Sequence, residues 1–215
     1  MIENLAHPRE RLIQTAASLV HKQGWTSTGI NQILSDAGIP KGSFYYYFRS
    51  KEALGVAILQ RHYNETRDLF ERTLANLSLS ATEAIDRFQN ETIETQRLAH
   101  FKLGCLTGNL VNEIANQSDI LLQTAQQTLA LHEDHWTAFI SRSQSQHVLK
   151  EEVSPNEAAR TVVMLLQGAF LLMKCTANSA PLELAFQTIR NIVNLDSRPS
   201  MNRLNDKSHL QVLAS

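Results

Sequence analysis

The sequence predicts an all-α protein: an N-terminal three-helix helix-turn-helix unit followed by a larger helical domain. Apolar residues recur at spacings of three and four along most of the chain, and the 215 residues include only 8 Gly and 5 Pro. So few turn-formers argue against a β-sandwich, while 43% apolar and 19% charged residues exclude disorder and low complexity.

The elements follow in order. Pro8 suits a first helical turn, and Leu12, Ile13, Ala16, Ala17, Leu19 and Val20 form an apolar stripe that stops at Gly24. Thr26, Ser27 and Thr28 offer caps for a second helix, with Ile30, Ile33, Leu34 and Ala37 before the stop at Gly38. Pro40 opens a third helix that pairs Phe44 with Phe48 on one face, and Ser50, Lys51 and Glu52 open a fourth. Beyond it the pattern predicts helices near 82–97, 100–117, 120–146, 155–175 and 181–195, and a polar tail over 197–215.

The net charge of -1 conceals an asymmetry: Met1 to His62 holds seven basic and four acidic residues, net +3, and the remainder carries -4. A basic small unit on an acidic larger one suits a polyanion partner for the first part alone. No stretch reaches the roughly 20 uncharged apolar residues of a membrane span, and MIENLAHPRERL lacks the apolar run of a signal peptide, so no membrane partner and a cytoplasmic location are expected. Two cysteines, Cys105 and Cys175, are too few for a disulfide scaffold.

In Lys41-Gly42-Ser43-Phe44-Tyr45-Tyr46-Tyr47-Phe48, the two Phe side chains fall on one face and the tyrosines around the others. Tyrosine hydroxyls reach phosphate oxygens while their rings meet sugars or thymine methyls, Gly42 admits a close backbone approach, and Lys41 suits a base edge or a phosphate. Lys51 at the next helix start and the hydroxyl of Thr28 would serve as further phosphate clamps. The alternative is that Tyr45 to Tyr47 join a small core and both lysines are simply solvated.

Gly24-Trp25-Thr26-Ser27-Thr28-Gly29-Ile30 and Ala37 through Leu54 resemble the TetR family of transcriptional regulators. The resemblance implies a homodimer whose third helices enter successive major grooves of a pseudo-palindromic operator. It places Thr28, Lys41, Gly42, Ser43, Tyr45, Tyr46, Tyr47 and Lys51 at positions that contact DNA, and Phe44 and Phe48 in the core. Tyr47 departs from the commonest pattern, which has His there. On this reading residues 1–54 are the DNA-binding domain, and 55–196 the signal-sensing and dimerisation domain. The implied partners are double-stranded operator DNA, a second copy of the chain and a small-molecule effector, electrophile or oxidant.

The segment Gly104-Cys105-Leu106-Thr107-Gly108-Asn109-Leu110-Val111-Asn112-Glu113 is similar to a signature of the NemR-like and AcuR-like subgroup of that family, which responds to electrophiles. The pattern puts Gly104 and Gly108 four apart in one helix, with Cys105 between them and away from any helix start. Thiol chemistry needs thiolate, and Lys174, following an apolar run, would supply the cation if it met Cys105. Equally, Cys105 would be a buried small hydrophobe and Lys174 a solvated helix end. Asn109, Glu113 and Trp136 are candidate lining of a ligand pocket. His132 and His135 lack the spacing and third ligand of a metal site, so no metal or cofactor is expected.

For the dimer, the resemblance points to the 155–175 helix, through Ala158, Ala159, Val162, Val163, Leu165, Leu166, Ala169 and Phe170, and to the last helix, through Leu182, Leu184, Ala185, Ile189, Ile192 and Val193. An ordinary intrachain core is the alternative. The leading expectation is therefore a repressor released by a small molecule or a thiol-reactive signal, and not an enzyme. A cysteine-dependent small-molecule enzyme stands behind it for want of a Cys-His-Asn set, a phosphate loop or a nucleophile elbow. A helix-turn-helix adaptor without DNA binding is the third reading.

Overall fold

The computed structural model describes residues 7–145 and 154–193. Among them the regular elements are all helical: α1 (Pro8–Gln23), α2 (Ile30–Asp36), a 3-10 turn (Lys41–Ser43) leading into α3 (Phe44–Tyr47), α4 (Lys51–Arg72), α5 (Ala81–Leu98), α6 (Leu106–Ile114), α7 (Asp119–Ser145), α8 (Pro155–Thr176) and α9 (Ala180–Ile192). The polar tail at 197–215 and the expected helix ends at Gln146 and Leu195 lie outside the described residues.

Helix α1 starts with Pro8 in its first turn and a cap in which His7 Nδ1 accepts the Arg9 N–H, and it stops at Gly24 with φ +87°. Only glycine fits there, because a Cβ would also stand 2.6 Å from the Glu113 carboxylate. The expected hydroxyl cap of α2 is not made: Gly29 is the N-cap, and the Thr28 hydroxyl turns back to donate to the Gly24 carbonyl at 2.6 Å. The third helix is shorter than its pattern, a 3-10 turn plus one α-turn, yet it buries Phe44 and Phe48 with ring centroids 5.9 Å apart. Ser50 then caps α4 by accepting the Ala53 N–H at 3.1 Å. Helix α4 runs for 22 residues.

Two apolar cores result. One gathers Leu12, Ala16, Ile33, Leu34, Phe44, Leu54 and Ile58 from α1 to α4, and it also takes Leu106, Leu110 and Ile114 from α6 and Leu121 from α7. The other joins Phe70 on α4 and Phe88 on α5 with Trp136 and Phe139 on α7, Val162 and Met173 on α8, and Phe186 and Ile189 on α9. Each fully buried side chain of this size contributes roughly 1.5–3 kcal/mol. Helices α4 and α7 enter both cores and α6 wedges against α1, α4 and α7, so the two ends of the molecule share structural members.

Among the described residues, the helix that comes nearest to membrane length is α8, with a mean hydropathy of 1.4 over an 18-residue window, although Arg160 and Lys174 interrupt any uncharged run of that length. Its Ala159, Val162 and Met173 are buried in contact with α7 and α9, and packing inside the fold accounts for that composition.

The expected helix over 100–117 is corrected. His100 and Phe101 have φ of 53° and 59° and Gly104 has φ 69°, so the chain turns before it winds and α6 begins only at Leu106. The Gln96 side chain brackets this turn, its amide donating to the Gly104 carbonyl at 3.3 Å and its oxygen accepting the Gly104 N–H at 3.0 Å.

Candidate functional site

The recognition surface is built on the buried Phe44 and Phe48. With those rings inward, Tyr45 and Tyr46 are left 72% and 83% exposed, and Lys41 and Gly42 beside them are also exposed. Ser43 is half-buried. Tyr47 is half-buried too, edge-on to both Tyr46 and His7, and packs against the first core. A Cβ at Gly42 would meet nothing, leaving its backbone open to an incoming surface.

Two expected clamps are turned inward. Thr28 is fully buried, with its hydroxyl committed to Gly24, so in this conformation it offers no hydroxyl to a phosphate. Lys51 lies over the Trp25 indole at 4.3 Å and donates to the Trp25 carbonyl at 2.7 Å. Partial burial lowers its pKa, against the opposing pull of Glu52 and Glu113. Sequence spacing gave no hint of this, since the partner stands 26 positions away.

Glu113 is not in the pocket that the sequence suggested for it. From α6 it accepts the N–H groups of Trp25 and Thr26, each at 2.9 Å, and so clasps the turn between α1 and α2. Partial burial pushes its carboxyl up, but those two N–H groups, Thr26 and Lys51 outweigh this and hold it below the usual carboxylate range.

At the other end of α6 stands Cys105. It is the N-cap residue, which corrects its expected mid-helix position and places it where the unpaired N–H groups of a first turn favour negative charge. It is buried, and its sulfur accepts a hydrogen bond from Gln167 Nε2 on α8 at 3.3 Å. The expected pairing with Lys174 is not made here: Lys174 Nζ donates to Asn109 Oδ1 at 3.2 Å, and its stem packs where a Cβ on Gly104 would stand. Asn109 Nδ2 in turn donates to the Leu103 carbonyl at 2.8 Å, so Asn109 and Lys174 clasp the turn before Cys105 and do not line the cavity. Gly108 leaves room for the Gln167 side chain. Cys175 is exposed.

Cys105 forms part of the wall of a cavity of about 150 Å³ between α4, α5, α7 and α8, together with Phe70, Phe88, Gln96, Trp136 and Gln167. Histidines that the sequence reading did not assign to a pocket also bear on it. His62 and His132 line the cavity, and His21 on α1 lies 6.4 Å from His62 between ring centroids. Burial lowers all three to about 4, helped by His62 acting on His21 and on His132. Among the described residues no group of three or more His, Cys, Asp or Glu is arranged to hold a metal.

This arrangement has known counterparts. Residues 12–58 match the model described as bacterial regulatory proteins, tetR family, and residues 81–189 match the tetracyclin repressor-like C-terminal domain. The chain belongs to the TetR family. It is 32% identical over 190 residues to the HTH-type transcriptional repressor NemR of Escherichia coli K12, covering 86% of this chain and 93% of the relative. The reduced form of E. coli NemR superposes with a TM-score of 0.75 at 31% identity, over 86% of this chain and 97% of that one. A regulatory protein TetR from Rhodobacter sphaeroides shares the fold, with a TM-score of 0.81 at 24% identity over 88% and 99% of the two chains.

This TetR-family chain is accordingly a DNA-binding transcriptional regulator and not an enzyme. Most of the apolar residues expected at a dimer interface are instead buried within the chain, including Val162, Ala169, Leu182, Ala185 and Ile189. The outward apolar positions of α8 and α9 are Met164, Leu171, Leu172 and Leu184, each more than half exposed.

Proposed function

We propose that this TetR-family regulator is a cytoplasmic homodimeric repressor that leaves a pseudo-palindromic operator when a thiol-reactive compound adds to Cys105 or a small molecule fills the adjoining cavity. The observation that carries this reading is the two-ended placement of α6. One end of this nine-residue helix, about 14 Å long, holds Cys105 in the cavity wall, and the other holds Glu113 on the turn that follows α1. Adding a group to the buried sulfur displaces the Gln167 contact and the close fit at Gly104 and Gly108, so α6 must shift and pull on the recognition unit. A signal acts only through such a difference in fit between the DNA-competent state and the released one.

Lys41, Gly42, Ser43, Tyr45, Tyr46 and Tyr47 form the operator surface, and Met164, Leu171, Leu172 and Leu184 meet their counterparts in a second copy. An exposed apolar face of this kind is what a two-fold interface between helix pairs would cover.

The test is fluorescence anisotropy on the upstream intergenic DNA with stoichiometric N-ethylmaleimide. Wild-type protein should bind with steep salt dependence and release on alkylation, while Cys105→Ser should bind and stay bound. A Cys105→Ser protein that still releases removes the cysteine as sensor. Salt-independent or absent DNA binding removes the repressor reading.

A further inference from the structure

Two polar atoms in the cavity have no internal role. Thr92 Oγ1 on α5 and His132 Nε2 on α7 are buried without a hydrogen-bond partner, and both residues, each more than nine-tenths buried, line the same space. An unpartnered buried polar atom destabilises a fold unless something occupies the gap, and two around one cavity describe a guest with a hydrogen-bonding group.

The rest of the wall describes the body of that guest. Phe70, Phe88 and Trp136 line the cavity, with centroid separations of 5.0 Å for Phe70 to Phe88 and 5.3 Å for Phe88 to Trp136. At about 150 Å³ the space matches an engineered apolar cavity that accepts benzene, so it suits one six-membered ring. No Asp, Glu, Lys or Arg is among the described lining residues, and burial keeps His62 and His132 neutral. A charged guest would meet no counterion there.

We propose that the cavity binds a neutral single-ring phenol, its ring among Phe70, Phe88 and Trp136 and its hydroxyl between Thr92 Oγ1 and His132 Nε2. One phenolic oxygen serves both atoms, accepting from the threonine hydroxyl and donating to the imidazole nitrogen. A carboxylate on the same ring is excluded by its charge, and a bare hydrocarbon leaves both atoms unpaired. The guest's role as effector rests on the repressor reading above; the site itself does not.

Calorimetric titration of the full-length protein with phenol at neutral pH tests this, with toluene and benzoate as comparison ligands. Phenol should bind saturably and benzoate should not. The nearly isosteric Thr92→Val should weaken phenol about tenfold, leave toluene unchanged and raise the melting temperature, because it removes an unpartnered hydroxyl. Val163→Phe, which fills the space from α8, should abolish phenol binding. No saturable phenol binding at millimolar concentration, which would mean that water alone fills the cavity, overturns the proposal. Equal phenol affinity in wild type and Thr92→Val does so too. Operator anisotropy on the same preparation separates the failures: a protein that binds DNA but not phenol loses this proposal alone, and one that binds phenol but not DNA loses the repressor reading alone.

Discussion

Around Phe44 the apolar side chains close on one another, whereas around Trp136 an equally apolar set lines a cavity. Leu12, Ile33, Leu34, Leu54, Ile58 and Leu59 are sealed at 0–1% exposure in the first region, and two polar groups beside them are committed within the fold, Thr28 to Gly24 and Lys51 to Trp25. The second region leaves Thr92 and His132 with unpaired atoms beside open space. A close-packed unit moves as one body, while an underfilled one has alternatives to settle into. On the function proposed above, the difference separates a unit that keeps its shape from one that a guest can change, with α6 packed against the first and Cys105 at its start in the wall of the second.

The comparison breaks most visibly under core truncation. Phe44→Ala should cost about 3–5 kcal/mol and unfold the recognition unit, because nothing there can relax into the gap. Val163→Ala in the cavity wall should cost only about 1 kcal/mol, since it enlarges a space that already exists. Urea unfolding of the two variants checks the ratio, and equal losses would end the distinction.

Acid sharpens it next. His21, His62 and His132 have an ordinary pKa of 6.5 and are held near 4 in the fold, chiefly by burial. Below pH 6.5 the unfolded chain takes up protons that the folded one refuses. Stability should therefore be full above that pH, fall as pH drops towards 4 and level off below, before carboxylates add their own effect. Melting temperatures across this range provide the check, and His132→Phe should flatten part of the slope.

The smaller effects separate the exposed lysine from the inward one. Lys41→Ala should lower the salt slope of operator binding by about 1 with no change in melting temperature. Lys51→Met should leave that slope alone and lose about 1 kcal/mol of stability, through its contacts with Trp25. Tyr46→Ala should weaken operator binding roughly tenfold in a fully folded protein.

What the sequence disclosed was whatever depends on near neighbours. Pro8 and Gly24 bound a helix by backbone geometry, Phe44 and Phe48 share a face by their spacing of four, and the exposed Tyr45 and Tyr46 follow from those two. The contacts of the cavity and its link to the recognition unit depend on distant partners: Glu113 reaches back 88 positions to Trp25, and Lys174 reaches 65 to Asn109. Thr92 and His132 share a cavity only because α5 and α7 pack beside it, and no local pattern announces that. The glycine at 104 misled for a related reason. A spacing of four from Gly108 reads as helix, but a φ of 69° makes it the turn that puts Cys105 at a helix start.

The link through α6 is tested most directly by measuring how far alkylation at Cys105 lowers operator affinity in wild type and in Glu113→Ala. If α6 carries the signal, wild type should lose at least about tenfold in affinity, a coupling near 1.4 kcal/mol, and Glu113→Ala should lose much less. An equal loss in the two proteins would contradict it, because the signal would then reach the recognition unit without the clasp on Trp25 and Thr26.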